Sequence, residues 1–123
     1  MPDAPSFVAL IDDNESVCLA LSRLLRLAGY TVRSYYSGES FLDDPERGYT
    51  RLVVSDVYLL GMSGLDLQRT LRHEVPGVPF AFITAHDDPD TQAQAEASGC
   101  VAYLRKPFPG QALLDAIKAL PMK

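Results

Sequence analysis

The chain has few cysteines and no apolar run near the roughly 20 residues that cross a bilayer. Cys18 and Cys100 are the only two, and neither lies in a C-x-x-C pair or beside a histidine. A metal or redox centre at cysteine is therefore not expected, and both should pack in or near a core. The N-terminus lacks the basic start and apolar stretch of a signal peptide. These features predict a cytoplasmic protein that is not associated with a membrane.

Basic side chains are also scarce. The sequence has 11 lysines and arginines and 16 aspartates and glutamates, which gives a formal net charge of -5. Nonspecific nucleic-acid binding needs a basic face that displaces counterions, so direct binding to nucleic acid is not expected. The length of 123 residues, with 47% hydrophobic and 22% charged side chains, is typical of one globular domain. Residues 1–123 are therefore interpreted as a single domain.

Short apolar runs alternate with longer amphipathic stretches along the chain. The runs predict strands at 7–11, 31–35, 52–55, 80–83 and 101–104. Helical spacing predicts helices at 15–28, 37–42, 64–74, 90–98 and 111–120. Five strands that alternate with five helices indicate an α/β fold, in which helices cover both faces of a parallel sheet.

Reactive side chains stand where the apolar runs end, namely Asp12, Asp13, Asp56, Thr84 and Lys106. Ligands of open α/β sheets gather at the carboxyl ends of the strands. If the first and third strands are neighbours, three carboxylates meet there, and their repulsion favours a bound cation. Oxygen ligands with no histidine or cysteine nearby favour Mg²⁺ or Mn²⁺.

Such a metal, together with the Lys106 ammonium and the Thr84 hydroxyl, forms a pocket suited to a phosphoryl group. A carboxylate can itself act as the nucleophile and form an aspartyl-phosphate. Each residue alone has a commoner explanation as a helix cap, a strand former or a turn. Their joint placement at the ends of different strands favours phosphorylation of an aspartate.

Five segments of the chain resemble the receiver domains of two-component response regulators, and together they cover nearly its whole length. The segment around Asp56 is most similar to FixJ/NarL-type receivers. The segments are Ile11-Asp12-Asp13-Asn14, Val53-Val54-Ser55-Asp56-Val57, Gly61-Met62-Ser63-Gly64-Leu65-Asp66-Leu67, Ile83-Thr84-Ala85 and Leu104-Arg105-Lys106-Pro107-Phe108.

The resemblance implies a CheY-like (flavodoxin-like), doubly wound, five-stranded parallel sheet of order 2-1-3-4-5 with five helices. It implies a phosphoacceptor rather than an enzyme, phosphorylated by a sensor histidine kinase. Phosphorylation would switch the face formed by the fourth helix (90–98), the fifth strand (101–104) and the fifth helix (111–120). That face would then act on a partner or on a fused output domain, such as a DNA-binding helix-turn-helix domain outside this chain. A phosphorylation-dependent homodimer is a further expectation from the family.

The resemblance also assigns roles to the residues at the strand ends. Asp56 would be the phosphoacceptor, and Asp12 and Asp13 would be the acidic pair that holds Mg²⁺ together with Asp56. The backbone carbonyl of Tyr58 would complete the protein ligands of the metal.

Four more positions match functional positions of the family. Lys106 would contact the phosphoryl group ahead of a cis bond to Pro107. Thr84 would move to the phosphoryl group and Tyr103 would turn inward, so that these two residues form the switch.

The sequence departs from the family pattern beside Asp56. Leu60 stands where many receivers carry proline. Loss of the fixed φ predicts a looser loop, and a tolerated variation without consequence is the alternative. Tyr58 and His86 occupy variable flanking positions and are expected to restrict water and set the lifetime of the phosphorylated state. A general base and a plain surface residue are the alternatives for His86. The stretch 90–98 is weakly apolar, with only Ala93 and Ala97 on one stripe, which predicts a loosely held helix that rearranges.

Three other functions compete with phosphorylation as explanations of the pattern. A haloacid-dehalogenase-type phosphohydrolase needs a second aspartate two residues past the nucleophile, where Tyr58 stands, and a cap domain. A flavodoxin-like FMN carrier needs a phosphate loop where Asp12 and Asp13 would repel phosphate. A pseudo-receiver that serves only as an interaction module is the closest alternative. The intact set of Asp12, Asp13, Asp56, Thr84 and Lys106 disfavours it.

Overall fold

Five parallel strands form one sheet in the computed structural model, which describes residues 6–120. Their order is β2-β1-β3-β4-β5, and every neighbouring pair is parallel. This order confirms the fold that the resemblance implies. The strands are β1 (Phe7–Ile11), β2 (Val32–Tyr35), β3 (Thr50–Asp56), β4 (Phe80–Thr84) and β5 (Ala102–Arg105).

Five α-helices connect the strands or follow them, and a short 3₁₀-helix (Arg47–Tyr49) precedes β3. The 3₁₀-helix was not predicted. Helix α4 begins at Pro89, because Asp88 caps it and proline is favourable in a first helical turn. The helices are α1 (Glu15–Leu27), α2 (Gly38–Leu42), α3 (Gly64–Glu74), α4 (Pro89–Ala97) and α5 (Gly110–Lys118).

Strand β3 is longer than the sequence predicts at both ends. Thr50 pairs with Phe7 of β1, with a register irregularity before the next pair, which extends the strand backward. At the other end Asp56 still pairs with Ile83 of β4. Asp56 is therefore the last residue of the strand rather than the first residue of the following loop, and its backbone is fixed by the sheet.

Helices cover both faces of the sheet, as the continuous apolar strands require. One face packs mainly against α2, α3 and α4, and its core includes Phe41, Leu67 and Phe82. The other face packs against α1 and α5, and its core includes Leu25 and Leu113.

Both cysteines pack as expected. Cys18 is buried in the core between the sheet and α1, and the half-buried Cys100 packs against the core of the opposite face. Burial is the main cause that raises the pKa of Cys18 to about 11. Cys18 is therefore a protonated thiol at neutral pH and acts as a small apolar residue.

Helix α4 is the least embedded of the longer helices. Its buried residue is Ala95, whereas Ala93 and Ala97 are exposed, so the predicted stripe of Ala93 and Ala97 is wrong. The weakly apolar character of the helix is confirmed. Because few of its side chains are buried, its position depends strongly on polar contacts at its ends.

Candidate functional site

Three aspartates meet at the carboxyl ends of β1 and β3. The strands are neighbours, and the pair Ile11–Ser55 places Asp12 beside Asp56. One carboxylate oxygen each of Asp12, Asp13 and Asp56 lies within 4.8 Å of the others. Asp12 and Asp56 are buried and Asp13 is exposed. The expected meeting of the three carboxylates is therefore confirmed, at the point where the strand order reverses.

Lys106 brings a positive charge to the carboxylates. Its Nζ donates to Oδ2 of Asp12 at 2.7 Å and to Oδ2 of Asp56 at 3.1 Å. Its backbone N–H donates to the carbonyl of Thr84 at 2.7 Å, which anchors the residue beside β4. The Lys106–Pro107 peptide bond is cis, the isomer that the resemblance implies.

Burial disfavours the charged forms of both Lys106 and Asp56. It lowers the pKa of Lys106, but the hydrogen bond to Asp12 and the charges of both carboxylates raise that pKa above its ordinary value overall. Burial raises the pKa of Asp56, and the Tyr58 N–H and the Lys106 charge only partly offset this. The ammonium is therefore the main countercharge of the buried carboxylates.

The acidic group fits a hard divalent cation. Its donors are three carboxylates, the ligand type that Mg²⁺ and Mn²⁺ prefer. Asp12 Oδ1 accepts the N–H of Asn14 at 2.9 Å, which orients the carboxylate. Exposed Asp13 leaves one side open to water, and Mg²⁺ usually keeps several water ligands. The role of the Tyr58 carbonyl remains a prediction.

The two expected switch residues lie on β4 and β5. Thr84 ends β4 with its side chain buried, and its Oγ1 accepts the N–H of His86 at 3.1 Å. Tyr103 lies on β5 and packs against the core. Its hydroxyl is already buried in this structure and lacks a hydrogen-bond partner among the described residues. A buried unpaired hydroxyl costs free energy, so a new partner for Tyr103 would be favourable.

Tyr58 makes contacts that the sequence did not indicate. Its ring lies 4.4 Å from the ring of His86, centroid to centroid. Its hydroxyl hydrogen-bonds to Asp88 and Thr91 at the start of α4. The Asp-Pro pair at 88–89 predicts the start of a helix. The sequence does not indicate that Tyr58, 30 residues earlier, bonds to Asp88.

The loop after Asp56 is held by side chains from other elements. The Leu60 side chain is 79% exposed, yet its N–H donates to Oδ2 of Asp13 at 3.3 Å, a bond that proline could not make. The N–H of Met62 donates to Oε2 of Glu39 on α2 at 2.9 Å. These bonds offset the lost restraint of proline, and Glu39 was missed from the sequence.

The sequence profile of the response regulator receiver domain matches residues 8–118. The chain belongs to this family. The receiver domain is a signalling domain of two-component systems rather than a classical enzyme. Among the described residues, no helix is long and apolar enough to cross a membrane.

Relatives of this receiver domain include regulators about twice its length. The response regulator protein TodT of Pseudomonas putida is 37% identical over 119 residues, which are 97% of this chain and 52% of that protein. The transcriptional regulatory protein TdiR of Thauera aromatica is 37% identical over 93% of this chain and 50% of that protein. The chain thus spans about half the length of these relatives.

Solved structures agree with the fold of this receiver domain. The chemotaxis protein CheY4 of Vibrio cholerae matches with a TM-score of 0.85 and 25% identity, over 96% of this chain and 100% of that one. The response regulator StyR matches with a TM-score of 0.83 and 40% identity, over 94% of this chain and 58% of that one.

Proposed function

We propose that this receiver domain accepts a phosphoryl group from a phosphohistidine of a sensor kinase onto Asp56. The observation that carries the proposal is the buried Asp56 carboxylate, beside Asp12 and Asp13 and within hydrogen-bond distance of Lys106. An oxygen of Asp56 forms the new P–O bond while the P–N bond to the histidine breaks. The electron pair of that bond returns to the imidazole.

Asp12, Asp13 and Asp56, with the Tyr58 carbonyl, would hold Mg²⁺ or Mn²⁺. The ion supplies positive charge that neutralises the oxygens of the transferred group. Lys106 turns from the carboxylates to a phosphoryl oxygen, because that oxygen carries the larger negative charge. Thr84 donates its hydroxyl proton to another phosphoryl oxygen, a proton that is free because Oγ1 is only the acceptor of the His86 N–H. The domain thereby assists its own phosphorylation and dephosphorylation.

Thr84 and Tyr103 would transmit the change to the face formed by α4, β5 and α5. Movement of Thr84 gives the buried Tyr103 hydroxyl room for a new arrangement. A partner protein or an output domain would bind this face. A DNA-binding output is consistent with relatives about twice this length, one of them a transcriptional regulator. The proposal also includes a homodimer that forms on phosphorylation. It further includes a cytoplasmic location for the protein.

Tyr58 and His86 would set the lifetime of the phosphorylated state. Their rings lie side by side, 4.4 Å apart, and they follow Asp56 and Thr84 by two residues each. Bulky rings at these positions restrict the approach of water in line with the P–O bond. A long-lived aspartyl-phosphate is the expected consequence.

Phosphorylation by a small donor tests the proposal without knowledge of the kinase. Acetyl phosphate with Mg²⁺ should add one phosphoryl group, detected by intact-protein mass spectrometry. Addition of EDTA or the change Asp56→Asn should prevent the reaction, whereas Asp43→Asn, at an exposed aspartate, should not. Absence of labelling in a folded protein would favour the pseudo-receiver alternative.

A further inference from the structure

The hydroxyl of Tyr58 joins a small group of polar atoms at the start of α4. It lies 2.9 Å from Oδ2 of Asp88 and 2.9 Å from Oγ1 of Thr91. The hydroxyl of Thr91 also donates to Oδ2 of Asp88, at 2.9 Å. The three oxygens therefore form a closed triangle. Its two hydroxyls carry one proton each, so two of the three edges are hydrogen bonds at a time, and every such arrangement keeps the phenol bonded to Asp88 or to Thr91.

The same carboxylate caps the helix through its other oxygen. Oδ1 of Asp88 accepts the N–H groups of Asp90 and Thr91, at 3.2 and 3.3 Å. Tyr58 uses Oδ2 and leaves the cap intact. The phenol is therefore attached to the N-terminal turn of α4 without competing for its backbone hydrogen bonds.

The other end of Tyr58 is attached to Asp56. The Tyr58 N–H donates to Oδ1 of Asp56 at 3.0 Å. One residue thus connects the proposed phosphoacceptor, through its backbone, to α4, through its hydroxyl. The side chain is itself at the surface, 36% exposed, so core packing does not fix its position.

Helix α4 has few other attachments. Its buried side chain is Ala95, and at its C-terminal end Arg72 donates to the carbonyl of Ser98 at 3.0 Å. An amphipathic helix draws most of its stability from the face it buries, and α4 buries little. The hydrogen bonds of the Tyr58 hydroxyl are therefore a major part of the contacts that position the first turn of α4.

We propose that Tyr58 is a positioning residue, whose hydroxyl ties the Asp56 loop to Asp88 and Thr91 so that α4 follows this loop. The coupling to phosphorylation rests on the proposed function. The tie itself exists in the unphosphorylated protein and can be measured there.

Hydrogen exchange of the unphosphorylated protein tests the tie alone. Tyr58→Phe keeps the ring and removes the hydroxyl. The amides of residues 92–95 should exchange about five-fold faster, as expected for loss of one net hydrogen bond, while α5 is unchanged. Tyr36→Phe, which removes a hydroxyl from another exposed tyrosine, is the matched control and should leave α4 unchanged.

A double-mutant cycle separates this tie from a general loss of stability. Thr91→Val should also speed exchange in α4. The double variant Tyr58→Phe with Thr91→Val should exchange more slowly than the product of the two single effects predicts, because the hydroxyls act together. Strictly multiplicative effects, or equal exchange in Tyr58→Phe and wild type, would overturn the proposal.

The phosphorylated state tests the coupling. With Asp56 fully phosphorylated by acetyl phosphate and Mg²⁺, exchange in α4 should change in the wild type and change much less in Tyr58→Phe. An equal change in both proteins, at equal occupancy of Asp56, contradicts the coupling. Failure to modify Asp56 in the wild type contradicts the proposed function instead, and leaves the result on the unphosphorylated protein standing.

Discussion

The Nζ atom of Lys106 lies 3.1 Å from Oδ2 of Asp56, and the same ammonium lies 2.7 Å from Asp12. The lysine is thus a countercharge for two buried carboxylates that arrive from different strands. A divalent cation that binds the same aspartates must share their charge with Lys106. This competition predicts opposite effects of Lys106 on stability and on metal affinity.

Replacement of Lys106 by methionine should destabilise the protein in EDTA by about 2 kcal/mol, because two carboxylates lose their countercharge. The loss is smaller than for a fully buried ion pair because the Lys106 side chain is 19% exposed. Mg²⁺ should restore stability and should stabilise the variant more than the wild type. Urea unfolding with and without Mg²⁺ measures both effects.

Arg105→Met is the matched control for this lysine. Arg105 is the preceding residue, its side chain is half exposed, and it pairs with exposed Asp87 at 3.3 Å. Its removal should change stability by less than about 1 kcal/mol and leave the response to Mg²⁺ unchanged. Equal responses to Mg²⁺ in Lys106→Met and wild type would contradict the role assigned to the ammonium.

Gly64 should tolerate no side chain. A Cβ at this position would lie 2.4 Å from the backbone oxygen of Asp56 and 3.1 Å from Cα of Val57. Gly64→Ala must therefore shift the backbone beside Asp56, at a cost of about 3 kcal/mol. Gly48→Ala, with nothing within 4 Å of the new Cβ, should stay within about 0.5 kcal/mol of the wild type. Thermal or urea unfolding compares the two, and equal stabilities would contradict this packing.

Tyr35 should make stability depend on pH through Asp44. The Tyr35 hydroxyl donates to Oδ2 of Asp44 at 2.6 Å. This hydrogen bond is the main reason why the pKa of Asp44 lies below its ordinary value, and the charge of Arg33 lowers the pKa further. The stabilisation is present above the ordinary carboxyl pKa and disappears as the pH falls through the lower pKa of the folded protein.

Tyr35→Phe should therefore be less stable than the wild type at neutral pH, by about 1 kcal/mol, and the difference should vanish in acid. The edge-on ring contact with Phe41 remains in this variant, so packing is preserved. Tyr49→Phe, at an exposed tyrosine, is the control. Urea midpoints measured from neutral pH into the acid range check the prediction, and a constant difference at all pH values would refute it.

Tyr58→Asn and His86→Glu should both shorten the lifetime of the aspartyl-phosphate, because each removes one of the two adjacent rings that restrict water. A several-fold faster loss of phosphoryl group is expected after the donor is removed, followed by mass spectrometry over time. His73→Glu, at a histidine in the last turn of α3, is the control. Unchanged rates in both ring variants would show that water is restricted by other means.

The strands, and the edge of the sheet where the reactive residues gather, could be predicted from the sequence because local patterns of apolar and polar residues specify them. Continuous apolar runs such as 7–11 mark strands covered on both faces, and the polar residue after each run marks the end of a strand. The juxtaposition of Asp12 and Asp56 followed once the two strands were assumed to be neighbours. The strand order itself came from the family resemblance.

Contacts between residues far apart in the sequence were not predicted. The Tyr58–Asp88 bond and the Glu39–Met62 bond join residues 30 and 23 positions apart, and each depends on the exact path of the loop after Asp56. The direct contact of Lys106 with Asp12 spans 94 positions. The buried residue of α4 was misassigned because a nearly polar helix carries little periodic signal, so the register of its inner face was not specified.

The most direct measurement locates the phosphoryl group after reaction with acetyl phosphate and Mg²⁺. The modified protein is cleaved and its peptides are sequenced by mass spectrometry, with Asp56→Asn treated in parallel. The proposed function predicts a single acyl phosphate on the peptide that carries Asp56, and none in the variant. A phosphoryl group on another residue, or none in a protein shown to be folded, would contradict the assignment of Asp56 as phosphoacceptor.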